Sequence, residues 1–105
     1  SVALRRSATP DEVVAAWRAW QPLPQQLRLP TAPHPPLVVR SEPDRPQTRL
    51  DRDAGRGMAV TVGRVRSCEV LDIKFVVLGH NTIRGAAGAS VLNAELMLAQ
   101  GLLGV

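Results

Sequence analysis

The second half of the chain carries two apolar patterns that predict β-strands. Residues 58–66 alternate, with Val60 and Val62 on one face of a strand and Thr61 and Gly63 on the other. Residues 73–78 are apolar on both faces except at Lys74, which predicts a strand buried on both sides. We expect these two strands to pair antiparallel.

A helix follows the second strand, and apolar residues occupy nearly all of its sides. Asn81 or Thr82 is predicted to cap it, and it runs to about Ala99 and ends at Gly101. A helix that is apolar all round needs to be buried on nearly every side. A unit of three strands and two helices covers only one side, so the pattern predicts a companion surface. That companion is either a missing N-terminal domain or another subunit in a homo-oligomer, most simply a dimer.

The first two turns of this helix carry almost no side chain. Residues 85–90 are all small, and two of them are glycines. A glycine in a helix interior costs roughly 1 kcal/mol relative to alanine. A chain accepts this cost where another backbone or a ligand comes very close, so we expect a close approach at this point.

A second helix is predicted near the N-terminus, after the end of a short strand at residues 2–6. Thr9 can cap it, Pro10 suits its first position, and Glu12 completes a capping box. Its apolar face is formed by Val13, Trp17 and Trp20. The tryptophans are interpreted as core or interface anchors.

Prolines dominate the middle of the chain. Eight of the nine prolines lie between Pro22 and Pro46, which excludes a regular helix or a central strand apart from a short run at residues 37–40. We expect a long surface loop, followed by a charged loop that ends in a tight turn at Gly55 and Gly57. The predicted fold is α+β: one domain over residues 1–105, with a small, mostly antiparallel sheet and a helix near each terminus.

The charge pattern bears on possible partners. The net charge is +4, and 12 of the 13 basic residues are arginine, but those of residues 40–56 alternate with acids. This alternation favours ion-paired loops over a nucleic-acid surface, and aromatic residues for base stacking are scarce. Cys68 is the single cysteine, which excludes a cysteine-based zinc cluster, and no metal site is predicted. No apolar run is suited to spanning a membrane, so we expect a cytoplasmic protein.

Candidate chemistry centres on the turn between the second strand and the last helix. His80 is a weak candidate for an acid or base, and amides at the helix start attract anions. The simpler interpretation is that Asn81 and Thr82 only cap the helix and that His80 bonds to a nearby carbonyl. Lys74 is a weak candidate for a Schiff-base lysine because its strand is apolar. Cys68 is better interpreted as a spacer than as a nucleophile.

Two long blocks of the sequence resemble a known family. They are RPQTRLDRDAGRGMAVTVGR at residues 45–64 and DIKFVVLGHNTIRGAAGASVLNAEL at residues 72–96. Both are similar to the C-terminal part of aspartate-semialdehyde dehydrogenase of the archaeal and fungal type, and residues 23–25 and 29–33 match more loosely. The resemblance implies that the fold is the second half of a dehydrogenase dimerisation domain and that the last helix packs against a nucleotide-binding domain.

The resemblance also implies which functions reside elsewhere. In that family the NADP-binding domain, a cysteine nucleophile, a substrate-binding arginine and an acid–base histidine lie upstream of the matched part, and this chain has no counterpart of them. The asparagine that matches Asn81 contacts the nicotinamide end of NADP. The chain is therefore expected to bind no cofactor and to perform no redox reaction alone.

Three functions remain open. The first is a truncated portion of such a dehydrogenase. The second is a stand-alone dimer that binds a small molecule or catalyses a cyclisation or isomerisation, with Lys74 or His80 as catalyst. The third is a structural subunit that binds a full-length relative.

Overall fold

The structure is a computed structural model, and it describes residues 1–104. The fold is α+β, as predicted, with a three-stranded sheet and a longer helix near each end of the chain. The elements in chain order are α1 (Pro10–Ala19), α2 (Leu23–Gln26), β1 (Leu37–Val39), α3 (Thr48–Asp51), a 3-10 turn (Ala54–Gly57), β2 (Val60–Ser67), β3 (Ile73–Leu78), a π-helical turn (Ile83–Ala87) and α4 (Gly88–Ala99).

The start of α1 follows from local sequence. The Thr9 hydroxyl accepts a hydrogen bond from the Glu12 amide, and the Glu12 carboxylate accepts one from the Thr9 amide at 2.8 Å. This is the predicted capping box, and Pro10 occupies the first turn. The Trp17 ring lies edge-on against Phe75 of β3, with centroids 4.9 Å apart, so the helix rests on the sheet. Trp20 ends the helix and stays half exposed.

The sheet has the order β1-β2-β3, and it is mixed. The pairing of β2 with β3 is antiparallel, as expected, with an irregularity between Gly63 and Arg66. The short strand β1 pairs parallel with β2. At the other edge of the sheet, Val2 forms an isolated antiparallel bridge with Ile73 of β3, which is all that remains of the strand predicted at residues 2–6.

The charged loop before β2 is held by a buried ion pair. Both Arg45 and the Gln47 amide donate hydrogen bonds to the Asp51 carboxylate, which is almost completely buried. The side-chain hydrogen bond from Arg45 lowers the pKa of Asp51 to about 2, against the opposite effect of burial. The same bond raises the pKa of Arg45. The loop then crosses Gly63 so closely that a Cβ there would lie 2.4 Å from the Arg45 carbonyl oxygen.

The proline-rich segment is a loop with one correction to its predicted structure. It contains β1 as expected, but Leu23–Gln26 forms a single helical turn with a proline in its first positions, where no amide donor is needed. Gln25 is buried, and its side-chain nitrogen donates to the Pro33 carbonyl at 3.0 Å. The amide of Thr31 donates to the Glu95 carboxylate of α4, which ties the loop to the last helix.

The core lies between this loop and the last helix. It consists of Leu29, Ala32, Met58 and Leu92, with Ile83 and Leu96 packed against it. Of the residues of α4, only Leu92 is buried. The outward side of the helix exposes large apolar groups: Val91, Met97 and Leu98. The residues 1–104 therefore cover one side of this helix, as the sequence predicted for a unit of this size.

The prediction that residues 73–78 are buried on both sides is wrong for this chain. Ile73 is buried at 1% exposure, but Val77 is 56% exposed and its neighbours are only partly covered. The reason is that β3 is an edge strand of the sheet and that no residue within 1–104 covers Val77. A sequence suited to a central strand thus lies at an edge.

Candidate functional site

The turn between β3 and the π-helical turn is organised by His80. Its Nδ1 accepts hydrogen bonds from the amides of Thr82 at 3.3 Å and Ile83 at 3.2 Å. Thr82 stands at the N-cap position, as predicted, but its side chain makes no capping hydrogen bond, and Asn81 is not the N-cap residue. The interpretation that His80 bonds to a carbonyl is wrong, since its ring accepts from amides. A histidine ring takes the part that Ser, Thr, Asp or Asn plays at most helix starts.

This arrangement fixes what the imidazole offers to a ligand. Because Nδ1 accepts two backbone hydrogen bonds, the proton of the neutral ring lies on Nε2. The ring therefore presents one N–H donor away from the helix. An acid or base reaction through Nδ1 would require the cap to break.

The helix start is a poor anion site because its amides are already used. His80 accepts from the amides of Thr82 and Ile83 through its ring, and its backbone carbonyl accepts from Gly85 at 2.9 Å. The Gly85 bond and the bond from Ala87 to Thr82 span five residues, which makes this a π-helical turn. Such turns occur frequently at functional sites.

A cleft of about 280 Å³ opens beside this turn. It is lined by Thr48, Arg52, Leu78, Gly79, His80 and Asn81. The lining offers a guanidinium, a hydroxyl, an amide and the imidazole N–H, and these groups suit a ligand with carboxamide, carboxylate or phosphate oxygens. The Asn81 side chain is exposed, and no hydrogen bond to it is found within residues 1–104.

Sequence reasoning missed two of these residues. Thr48 and Arg52 lie in the charged loop, about 30 positions before His80, and no local spacing connects them to the turn. The Arg45–Asp51 pair folds the loop back and brings them to the cleft. The one signal in the sequence is that both lie within the first block of family resemblance, at residues 45–64.

Packing within this chain explains one of the small residues at the helix start, Gly88, but not residues 85–87. A Cβ on Gly88 would lie 2.3 Å from the Met58 sulfur and 2.9 Å from the Ile83 carbonyl oxygen, so the expected close approach is present there. Gly85 has only ordinary space around it, and Gly85, Ala86 and Ala87 are exposed. Nothing within residues 1–104 requires a small residue at these three positions.

The other two candidates lie away from the cleft. Lys74 and His80 are at opposite ends of β3, roughly 17 to 20 Å apart by the rise of a strand. Cys68 precedes β3 at the same end as Lys74. The Leu71 amide, together with the Val70 amide, lowers the pKa of the Cys68 thiol to about 7. The structure therefore does not bring Lys74 or Cys68 to the His80–Asn81 turn.

Residues 1–104 contain neither a cluster of metal-binding side chains nor a helix suited to a membrane. No group of three or more histidine, cysteine or acidic side chains there is placed to hold a metal ion. None of the helices in that part has the length and apolar character to cross a membrane.

Comparisons with known proteins agree with this fold. The family of the semialdehyde dehydrogenase dimerisation domain matches residues 1–84. An aspartate-semialdehyde dehydrogenase of Archaeoglobus fulgidus is 53% identical over 98 residues, which are 93% of this chain and 27% of that protein. A malonyl CoA reductase (NADP) of Metallosphaera sedula is 45% identical over 94 residues, which are 88% of this chain and 26% of that protein.

A solved structure matches over nearly the whole chain. The crystal structure of aspartate-semialdehyde dehydrogenase with NADP from Candida albicans superimposes with a TM-score of 0.83 at 43% identity, over 96% of this chain and 28% of that one. The chain thus spans little more than a quarter of the length of these relatives. With the family match over residues 1–84, these similarities show that the chain belongs to the semialdehyde dehydrogenase family and has the fold of its dimerisation domain.

Proposed function

We propose that this chain is the C-terminal portion of an NADP-dependent semialdehyde dehydrogenase, in which it supplies dimer contacts and completes the cofactor site with the turn at residues 79–82. By itself it performs no redox reaction. The observation that carries this proposal is the state of the turn. The His80 ring accepts hydrogen bonds from two amides of the turn, while the Asn81 side chain beside it is exposed at the cleft without a hydrogen-bond partner within residues 1–104.

The residues at this turn fit a nicotinamide group. A primary amide such as Asn81 presents both a donor and an acceptor, which is the complement of the carboxamide on a nicotinamide ring. The exposed positions Gly85, Ala86 and Ala87 carry little side chain, so a flat ring can approach the helix backbone. The bound cofactor would supply the hydride, and the chain's own contribution is to orient it and to exclude water from one side.

The absence of a redox reaction in the chain alone follows from what lies near the cleft. Reduction of an activated acyl group in this family requires a cysteine nucleophile, and Cys68 lies at the far end of β3 from Asn81. The family resemblance places the nucleophile, the substrate arginine and the acid–base histidine upstream of the matched part. None of the residues that line the cleft is able to form a thioester.

The names of two relatives support the view that substrate selection lies outside this portion. The Archaeoglobus fulgidus protein is an aspartate-semialdehyde dehydrogenase, and the Metallosphaera sedula protein is a malonyl CoA reductase. Both match this chain at 45% identity or more, although their acyl substrates differ. The feature that their names share is an acyl-to-aldehyde oxidation level, so the proposed reaction class is reduction of an activated carboxylic acid to a semialdehyde.

The test uses a chimaera. The C-terminal part of the Candida albicans enzyme that this chain matches is replaced by residues 1–105, and NADP-dependent turnover of aspartate semialdehyde is measured. The chimaera should be active and the chain alone inactive. Asn81→Ala in the chimaera should raise the KM for NADP about tenfold or more, because a paired amide is lost.

The matched control removes an asparagine side-chain amide that lies away from the cleft. Asn93→Ala, on an exposed position of α4, should leave the KM for NADP within about twofold. Turnover by the chain alone, or equal effects of the two substitutions, would contradict the proposal.

A second candidate is that the chain alone binds a small molecule as a dimer. The observation in its favour is that residues of this chain alone line the 280 Å³ cleft, and that Arg52 and His80 are among them. Isothermal titration of the chain with NADP, nicotinamide mononucleotide and aspartate separates the two candidates. Binding with micromolar affinity would favour the second candidate, and only millimolar or no binding would favour the first.

A further inference from the structure

A second cleft, of about 290 Å³, lies between α1 and the ends of β1 and β2. Three arginines from three elements line it, and we call it the arginine cleft: Arg18 of α1, Arg40 directly after β1, and Arg64 of β2. Asp11 and Glu42 also line it, and the remaining wall is mainly aliphatic. The arginine cleft therefore combines several guanidinium groups with an apolar surface.

Strand pairing brings Arg40 and Arg64 close together. Val39 pairs with Val62 in the parallel ladder, and the Arg40 amide donates to the Val62 carbonyl at 2.8 Å. Arg40 thus lies beside Gly63, and the next residue, Arg64, is roughly 6 Å from it between Cα atoms by the spacings of a sheet. Two guanidinium groups on adjacent strands are thus available to one small ligand.

A β-bulge sets the position of Arg64. Residues 64 and 65 of β2 both stand opposite Phe75 of β3, which is the two-against-one pairing of a bulge. Arg64 has a φ of 53°, a left-handed conformation that glycine usually supplies at the first position of such a bulge. A long cationic side chain is thus held where the backbone favours none, and residues in such conformations cluster at active sites and ligand clamps. Phe75 also contacts Trp17 of α1, so the bulge lies next to the helix that carries Arg18.

The positive charges of the arginine cleft are only partly neutralised. Arg40 donates to Glu42 at 2.8 Å, whereas neither Arg18 nor Arg64 forms an ion pair within residues 1–104. Asp11 is on the same face of α1 as Arg18 but seven residues earlier, roughly 10 Å along the helix axis. Its carboxylate therefore leaves the arginine end of the cleft positive. Like charges that line one cleft repel each other and attract an anion.

We infer that the arginine cleft binds the oxyanion group of a small metabolite, a phosphate or a carboxylate on a short aliphatic body. Guanidinium groups match the paired oxygens of both anions in geometry and in charge. The aliphatic wall at Val14, Val39 and Val65 accommodates the body of the ligand. None of the residues that line the arginine cleft lines the cleft at the His80–Asn81 turn, so this site is separate from the one in the proposed function.

The experiment titrates the chain with inorganic phosphate and, separately, with succinate, near neutral pH and at constant ionic strength in sodium chloride. The Nε–H NMR signals of Arg18, Arg40 and Arg64 report contact with the added anion. We expect saturating shifts of these signals, with a Kd of about 5 mM or lower for at least one of the two anions. Tighter binding of phosphate would identify a phosphoryl group as the ligand, and tighter binding of succinate would identify a carboxylate.

Two variants remove an arginine of the cleft. Arg64→Asn deletes the guanidinium and keeps a residue that tolerates the left-handed backbone. Arg18→Gln changes an exposed position of α1, so the fold is retained. Each variant should weaken binding about tenfold, because a charge-assisted hydrogen bond to the anion is lost.

The matched control removes the same charge outside the cleft. Arg49 is exposed, forms no ion pair within residues 1–104 and does not line the arginine cleft. Because the charge of an exposed arginine is screened by salt, Arg49→Gln should change the Kd by less than about twofold.

Three outcomes would overturn the inference. Shifts that rise linearly with anion concentration, equally at all arginines, would show screening by salt alone. Equal weakening by Arg18→Gln, Arg64→Asn and Arg49→Gln would show that net charge sets the affinity. Saturation confined to Arg52 would place the anion beside His80 instead. None of these results depends on NADP, so failure here is distinct from failure of the proposed function.

Discussion

Val62 of β2 and Val77 of β3 are neighbours in the sheet and have identical side chains, but they differ in burial. They face each other across β2 and β3, yet Val62 is 3% exposed and Val77 is 56% exposed. The difference separates a covered region, formed by β2 and the loop around Asp51, from an open region, formed by β3 and α4. Val62 and Asp51 are covered by residues of this chain, whereas Val77 of β3 and Val91 of α4 are apolar and about half exposed.

The largest expected effect lies in the covered region. Asp51→Asn removes one partner of a nearly buried ion pair and leaves Arg45 without its carboxylate. We expect a loss of about 3 kcal/mol in the free energy of unfolding, measured by urea denaturation at pH 7. Asp53→Asn is the control, because Asp53 is exposed and lies 3.6 Å from Arg52. It should cost less than about 0.5 kcal/mol, and equal losses would show that the loop is not held by Asp51.

The Arg45–Asp51 ion pair also makes the free energy of unfolding depend on pH. The folded pKa of Asp51, about 2, is below its ordinary value, so its contribution to stability is complete above about pH 4. That contribution is lost as the pH falls from about 4 towards 2. Urea midpoints measured at several values in this range should fall more steeply for the wild-type chain than for Asp51→Asn. Parallel curves would contradict the assignment.

The comparison of the two valines is tested directly by the same substitution at both. Val62→Ala deletes two buried methyl groups and should cost about 2 kcal/mol, whereas Val77→Ala should cost less than about 0.5 kcal/mol in this chain. Thermal unfolding of the two variants gives the difference. If the open region is covered in the chimaera, Val77→Ala should become costly there, and a cost that stays small would show that no partner reaches it.

His80→Ala tests the turn that joins β3 to the last helix within the open region. Loss of the ring acceptor should weaken the start of the helix by about 1 kcal/mol. The exchange rates of the Thr82 and Ile83 amides should rise about fivefold, and Asn81→Ala should leave them unchanged. Unchanged amide exchange in His80→Ala would show that the ring does not cap the helix.

The smallest expected effect lies on the outward side of α4. Val91→Ser and Leu98→Ser replace side chains that are each 51% exposed, so each should change the free energy of unfolding by less than about 0.5 kcal/mol. The same substitutions should lower the mass measured by light scattering if this side associates with another copy. An unchanged mass would show that the outward side of α4 does not associate with another copy.

The features that the sequence predicted correctly are local or periodic. The capping box of α1 depends on Thr9 and Glu12, three residues apart, and the antiparallel pair depends on alternation in two nearby segments. The features that it missed depend on distant residues. Thr48 and Arg52 reach the turn because the Arg45–Asp51 pair folds their loop, and nothing near His80 encodes that.

The error at β3 has a different origin. The pattern of residues 73–78 predicted burial on both sides, and the structure places the strand at an edge. The hydrophobic pattern of a segment reflects the environment to which its sequence is suited. The exposure of its side chains depends on which other elements actually pack against it. The parallel pairing of β1 was also beyond prediction, because a strand of three residues is too short to reveal the direction of its partner.

The π-helical turn at Ile83–Ala87 sets the rotational phase of everything that follows it. One additional residue in a turn rotates the rest of a helix by about 100° relative to a regular continuation. Leu92 is buried with that offset in place, so a turn that took up regular α-helical geometry without loss of a residue would rotate Leu92 away from the core. The extra residue that this wider turn absorbs thus keeps Leu92 on the inward flank of the terminal helix and Val91 and Leu98 on the outward flank.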